Sequence, residues 1–212
     1  MTLSVLTLPL GELQTNCFIA ADSEMKAAMV IDPGWDAPQV LAALEARQWS
    51  LKYILLTHAH FDHIGAVADL VDVTGVPLAL HRNDLPLLRH LGGAPLFGHR
   101  IRPSPEPSLL LQPGQVIEVG QLRLEVLFVP GHTLGHVAFY ERQANAVFSG
   151  DVLFRQGIGR TDFPGGNMQT LLTSIRDKLL VLPDETTVYP GHGPATTIGA
   201  ERRDNPFLET GN

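Results

Sequence analysis

The sequence predicts an α/β (α+β) architecture in which two mixed β-sheets pack together with helices on their outer sides. Two observations carry this prediction. Short β-rich runs and helical segments interleave along the whole 212-residue chain. Polar turns joining neighbouring β-rich runs recur too often for a doubly wound parallel sheet.

The elements follow in order. Cys17 to Ala20 and Ala28 to Ile31 read as strands, and Asp32-Pro33-Gly34 closes the second with turn chemistry. Asp36, with Gln39 three residues on, offers a helix N-cap, and Val40, Leu41 and Leu44 supply the apolar face that follows. Tyr53 to Leu56 is a short strand ending at Thr57. Asp62 to Thr74 reads as one helix, with Ile64, Val67 and Val71 on one side and Gly75 as its stop. His81 ends the apolar VPLAL run and closes a strand there. Val116 to Val119 and Leu122 to Val129 alternate about Gly120-Gln121, which predicts a hairpin with Arg123 and Glu125 facing water. Val137 to Tyr140 and Ala146 to Phe148 flank another polar turn, Asn167 to Leu180 is helical, and Thr187 to Tyr189 is a last strand.

Composition bounds the organisation and excludes several function classes. At 44% hydrophobic and 17% charged, the chain is neither disordered nor fibrous. A domain of this length buries about 70% of its unfolded surface. No repeat or linker interrupts it; the proline-rich segment Gly92 to Pro107 reads as a long loop inside a single domain spanning residues 1–212. Apolar runs of a few residues, such as Val126 to Val129, fall far short of the roughly 20 needed to cross a bilayer. No basic residue precedes the apolar letters of MTLSVLTLPLGEL, so no secretory signal is read and a cytoplasmic location is expected. The single Cys17 agrees with a reducing compartment, and its apolar flanks make it a buried structural thiol rather than a nucleophile. A net charge of −7 argues against general affinity for nucleic acid or a membrane surface.

The nine histidines are the unusual feature. After the strand ending at Thr57 comes His58-Ala59-His60-Phe61-Asp62-His63. If residues 58 to 60 are extended, the two-residue period puts His58 and His60 on one side, within reach of one cation. Asp62 and His63 then begin a helix and aim at a second position. Three later turns each place a metal-ligating side chain beside glycine after a β-rich run: Pro130-Gly131-His132-Thr133, Ser149-Gly150-Asp151 and Tyr189-Pro190-Gly191-His192-Gly193. Strand ends are rigid mounts, and glycine lets the backbone bend sharply beside the ligand. Five histidines and two aspartates suffice for two metals with a shared carboxylate and an open position for water.

THAHFDH, PGHT, SGD and PGHG, in this order, resemble the metallo-β-lactamase fold over almost the whole chain. Within it the chain is most similar to short bacterial glyoxalase II-like hydrolases, the hydroxyacylglutathione hydrolase relatives, also through GIGRTDFPGG at Gly157 to Gly166 and the closing ERRDNPF. The resemblance implies a four-layer αββα sandwich with the metals at one sheet edge. It assigns His58, His60 and His132 to one ion, Asp62, His63 and His192 to the other, and Asp151 as the bridge. Zinc is the expected ion, and such sites also accept iron or manganese. Asp151 then holds the pair, while Asp62 tunes one ion and orients the hydroxide. The implied reaction is hydrolysis of S-2-hydroxyacylglutathione, with S-D-lactoylglutathione the model substrate.

Arg160 has two readings, as the basic residue that meets an anionic thiol substrate or as the partner of Asp162. His136 reads as support for a ligand rather than an eighth ligand, and His81, His90 and His99 are assigned to no metal. About twenty residues follow His192, so the helical C-terminal domain that helps clamp glutathione in full-length glyoxalase II is not expected. That shortness, with GRTDF, also resembles mononuclear iron persulfide dioxygenases, the alternative reading. The missing signal disfavours a β-lactamase, and the acidic charge disfavours an RNA-processing phosphodiesterase.

Overall fold

The structure, a computed structural model, describes residues 3–208. Its first half forms a six-stranded sheet from β1 (Leu3–Leu10), β2 (Thr15–Asp22), β3 (Ala27–Ile31), β4 (Ser50–Leu55), β5 (Leu78–His81) and β6 (Leu109–Leu111), in that spatial order. The β1, β2 and β3 strands pair antiparallel, and β3 through β6 run parallel. The parallel half needs crossovers, supplied by α1 (Ala37–Ala46), α2 (Phe61–Ile64), α3 (Val67–Thr74) and α4 (Leu85–Arg89).

The second half forms another six-stranded sheet. Its strands are β7 (Val116–Val119), β8 (Leu122–Phe128), β9 (Val137–Glu141), β10 (Ala146–Gly150), β13 (Thr187–Pro190) and β14 (Thr196–Thr197), in the order β14-β13-β10-β9-β8-β7. A small ribbon of β11 (Leu153–Phe154) and β12 (Gly157–Ile158) leaves this sheet after β10. The helices α5 (Met168–Ser174) and α6 (Ile198–Asp204) cover its outer face.

Burial separates the layers. Along β2, Cys17 and Ile19 pack with Val40, Leu44, Val67 and Leu70 of the first helical layer. Their neighbours Phe18 and Ala20 face the other way, into a core shared with Val126, Phe139 and Phe148 of the second sheet. Ala138, Tyr140 and Val147 then meet Leu171, Ile175 and Ile198. Because both faces of the central strands are covered, β2, β3, β9 and β10 are buried throughout rather than alternating. This is the four-layer αββα sandwich. Among the described residues, no helix is long and apolar enough to cross a membrane.

Several local expectations are met and some are revised. Asp36 accepts from the Gln39 backbone N–H at 3.2 Å and caps α1, and Gly75 closes α3 in the left-handed region. Arg123 faces water in a pair with Glu118, and Glu125 pairs with Arg142. Cys17 is fully buried, and burial pushes its thiol far up, which removes it as a nucleophile. The single helix expected from Asp62 to Thr74 is two, α2 and α3, broken at Gly65 and Ala66. There the Ala66 N–H donates to the Pro33 carbonyl at 3.0 Å, so the chain turns to satisfy the β3 loop instead of continuing the helix. The Asn167–Leu180 helix is also composite, with a π turn over Ile175–Leu179.

The Pro33–Gly34 turn therefore sits directly beneath α2. A Cβ on Gly34 would lie 1.8 Å from the Asp62 carbonyl oxygen, which neither backbone can yield without displacing α2. Gly34→Ala is expected to destabilise the fold by about 3 kcal/mol, the upper range for overpacking, and to lower Tm by about 6–12 °C. Gly75→Ala meets nothing within 4 Å and carries only its positive φ, so about 1 kcal/mol is expected there. Thermal denaturation of the two variants checks the ordering; equal melting temperatures would refute it.

Candidate metal centre

All seven candidate ligands stand at one edge of the sandwich, on segments that follow strands. His58 and His60 lie between β4 and α2, and Asp62 and His63 are on α2. His132 follows β8, Asp151 follows β10 and His192 follows β13. The edge is also where the two sheets are tied: Thr15 at the start of β2 bridges His192, and the Asn16 side chain donates to the carbonyls of Pro190 and Gly193 at 2.9 and 2.8 Å. Gly191 permits this closure, since a Cβ there would fall 2.1 Å from Asp151 Oδ1.

The seven candidate side chains converge as two groups, and Asp32 with His58 and His63 makes a further, fully buried set at the same spacing. Ligand atoms of His58, His60 and His132 lie within 4.8 Å of one another, and so do those of Asp62, His63 and His192. Asp151 lies between the groups. Its Oδ2 is 3.7 Å from His132 Nε2 and 3.6 Å from His192 Nε2, and its Oδ1 is 3.5 Å from His63 Nε2.

Hydrogen bonds behind the rings fix which nitrogen faces forward. His132 Nδ1 donates to the Arg160 carbonyl at 2.7 Å, and His192 Nδ1 donates to the Leu13 carbonyl at 3.2 Å. His63 Nδ1 is 3.1 Å from Asp32 Oδ2, and His58 Nδ1 is 3.0 Å from Thr57 Oγ1, whose own proton goes to Asp32 at 2.6 Å. With Nδ1 as donor in each, these four histidines present an Nε2 lone pair to the centre, while His60 presents Nδ1, 2.9 Å from His132 Nε2. His58 Nε2, His63 Nε2 and Asp151 Oδ1 are buried without a hydrogen-bond partner. Leaving such groups unpaired costs about 1–3 kcal/mol each, and a cation at each group would satisfy them. The donor set, nitrogen and carboxylate oxygen, fits divalent metal.

Electrostatics agree with this division. Burial, reinforced by neighbouring imidazoles, holds His58 well below the usual histidine range and His60 at about 3, so both are neutral, the form in which an imidazole can ligate. Burial raises the Asp62 carboxyl, but His63 and His192 outweigh it and bring it to about 2. Asp151 is likewise held low, with burial overcome by His63 and His132. Burial lowers His63, yet Asp62 and Asp151 raise it well above its ordinary value in the metal-free cluster.

Three supporting residues escaped the sequence reading. Thr15 Oγ1 donates to Asp62 Oδ2 at 2.9 Å and aims that carboxylate. Asp32 accepts from the Thr57 N–H at 2.8 Å as well as from the two groups above, and its φ of 52° is a strained conformation for a non-glycine residue. Asp84 accepts from the Ala59 N–H, the Thr133 hydroxyl and the Gly135 N–H, joining the two ligand loops. A signal existed for Asp32 alone: like Asp151, it is an acidic residue in a glycine-containing turn after a strand.

His136 is fully buried; its Nε2 accepts from the Asp151 N–H at 3.0 Å and its ring stacks on His58 at 4.7 Å. It supports ligands from behind. His81 stacks on Phe128, His90 meets the Pro86 carbonyl, and His99 stacks on Phe61, all away from the cluster.

In front of the cluster opens a cleft of about 490 Å³. His60, Asp62, His132, Asp151 and His192 form its floor, while Leu13, Phe61, Phe97, Phe154, Ile158 and Phe163 form most of its walls. Arg160 also lines it. Its Nε and Nη2 are held by Asp162 at 2.8 and 2.7 Å, and its guanidinium lies 3.7 Å above the Phe163 ring.

A family model described as the metallo-beta-lactamase superfamily matches residues 10–192, a span that contains all seven converging side chains. The chain belongs to the metallo-β-lactamase superfamily. Among superfamily relatives, a protein of Bacillus subtilis named as the probable metallo-hydrolase YqgX is 40% identical over 204 residues, covering 95% of each chain. Hydroxyacylglutathione hydrolase GloC of Haemophilus influenzae is 41% identical, covering 96% of this chain and 97% of that one.

Solved superfamily structures superpose closely. The BLEG-1 B3 metallo-beta-lactamase gives a TM-score of 0.92 at 41% identity, covering 98% of this chain and all of that one. TTHA1623 in a di-iron-bound form gives 0.89 at 44%, covering 96% and 100%. ETHE1 from Myxococcus xanthus gives 0.80 at 31%, covering 97% and 84%. The superfamily and the His/Asp cluster together indicate a hydrolase with a dinuclear metal site.

Proposed function

We propose that this protein is a thioester hydrolase of the glyoxalase II type, cleaving S-2-hydroxyacylglutathione to the hydroxy acid and glutathione. The observation that carries the reading is the complete two-part ligand set, with Asp151 between its halves, in a chain 41% identical to a hydroxyacylglutathione hydrolase. His58, His60 and His132 would hold one ion and Asp62, His63 and His192 the other, with Asp151 shared. Such an ion pair supplies a Lewis acid for the carbonyl and lowers the pKa of water to near 7.

The chain's own residues supply geometry and exclusion. The carbonyls of Arg160 and Leu13, with Asp32 and Thr57, keep four imidazoles in the ligating orientation. Thr15 fixes the Asp62 carboxylate facing the cleft. The phenyl and aliphatic walls leave the polar floor as the place where a thioester carbonyl is polarised. A thiolate departs with little protonation, so a separate general acid is not required. Zinc is the proposed ion; the di-iron form of TTHA1623 makes iron the first substitute to test.

Arg160 is proposed as the contact for a substrate carboxylate through Nη1, since Asp162 occupies Nε and Nη2. Arg160→Ala should then raise KM for a glutathione thioester about tenfold or more, with kcat nearly unchanged and a neutral thioester little affected. Equal losses on both substrates would reduce Arg160 to a structural partner of Asp162.

The likeness to ETHE1 favours one second reading, the mononuclear iron persulfide dioxygenase. Metal analysis of the purified protein, beside thioester and persulfide assays, tests the two together. A β-lactam belongs in the same panel because of the BLEG-1 likeness. Turnover of persulfide or β-lactam alone would displace the thioesterase reading.

A further inference from the structure

One wall of the cleft is a run of aromatic rings that metal binding leaves unexplained. Phe61, buried beside Asp62, stacks under Phe97 at 5.5 Å and 27°. Phe97 in turn meets Phe163 at 5.3 Å, and Phe163 stands edge-on to His60 at 5.9 Å. The run therefore reaches from the cleft mouth to a candidate metal ligand. Phe97 is 47% exposed and lines the cleft, so one side of its ring is open to a ligand.

Both ends of this wall are fixed. Phe97 closes the turn segment Leu91–Phe97, in which Gly92 adopts a φ of 59°. A Cβ on Gly92 would lie 2.3 Å from the Phe61 nitrogen and 2.6 Å from the Ala59 carbonyl oxygen, so the segment is pressed against the backbone of the ligand loop. Phe163 is clamped by the Arg160 guanidinium, which Asp162 holds in place. A half-exposed ring held at a set distance from the reacting centre is a recognition surface for an apolar group.

We propose that Phe97, with Phe61 and Phe163, determines acyl-group specificity by taking an aryl or bulky apolar substituent of the substrate against this wall. The inference rests on the thioester reading for its substrate class. Its test does not depend on turnover.

Binding of the inert thioethers S-benzylglutathione and S-methylglutathione to the metal-loaded protein is measured by calorimetry, for wild type, Phe97→Ala and Phe97→Leu. Wild type should bind the benzyl compound at least about tenfold more tightly, near 1.4 kcal/mol. Phe97→Ala should cut that preference below about threefold, and Phe97→Leu should retain part of it. The same variants assayed with S-mandeloyl- and S-D-lactoylglutathione should show a raised KM selectively for the mandeloyl thioester. Failure to hydrolyse either thioester removes the functional reading, while a benzyl preference lost in Phe97→Ala still upholds the wall. No benzyl preference in wild type, no binding of either thioether, or a preference unchanged in a folded Phe97→Ala overturns the proposal.

Discussion

Asp151→Ala is expected to strip both ions from the centre and to lower thioester hydrolysis by about 10²–10³-fold or more. The two oxygens of Asp151 face both groups, with Oδ1 towards His63 and Oδ2 towards His132 and His192. Removing it leaves two cations at short separation without the anion that screens them. Breaking one side of a buried charged set costs about 3–5 kcal/mol, which converts to that range in affinity. Wild-type protein prepared with adequate metal should carry close to two ions per chain, and the variant well below one, by elemental analysis. The result depends on the carboxylate rather than on the turn, because the His136 bond to the residue-151 N–H survives the substitution. Retention of two ions by Asp151→Ala would end the shared-carboxylate account.

The second large effect separates the two enzyme classes. Hydrolysis needs a Lewis acid and water, so zinc-loaded protein should cleave S-D-lactoylglutathione without oxygen, whereas persulfide oxidation requires an iron that changes oxidation state. Asp62→Ala should slow the zinc reaction at least about tenfold, or roughly 1.4 kcal/mol of barrier. Asp62 serves only the second group: Thr15 donates to its Oδ2, and His192 Nε2 stands 3.1 Å from the same oxygen. A mononuclear dioxygenase would leave that group unused and tolerate its loss. Inactive zinc protein, with an iron form that consumes oxygen on glutathione persulfide even as Asp62→Ala, would overturn the hydrolase reading.

The fold's class was legible because periodicity and punctuation are local. Hairpin signals around Gly120-Gln121, the Asp36 cap and the Gly75 stop each depend on a few neighbouring residues, and each appears as expected. The break between α2 and α3 was not legible: the residues that force it, Pro33 and Gly34, are some thirty positions earlier and act only once β3 is in place. β1 goes unassigned in the sequence for a different reason: Leu6, Leu8 and Leu10 alternate with exposed Thr7 and Pro9, but a proline within the run is compatible only with an edge strand, and that edge exists only once the sheet forms.

The sequence by itself determined which side chains could serve a metal centre, since metal-ligating residues beside glycine at the ends of β-rich runs follow from chain geometry alone. Tertiary structure decided how they meet. The position of Asp151 between the two groups and the forward nitrogen of each histidine arise from contacts across tens of residues, such as Arg160 with His132 and Leu13 with His192. Thr15 and Asp84 carry no mark of their service until two sheets close on one another, and the turn position of Asp32 hints at its own without showing what it holds. The aromatic wall belongs to this second kind as well: Phe61, Phe97 and Phe163 are ordinary letters in sequence, and only packing joins their rings into one run that ends on His60.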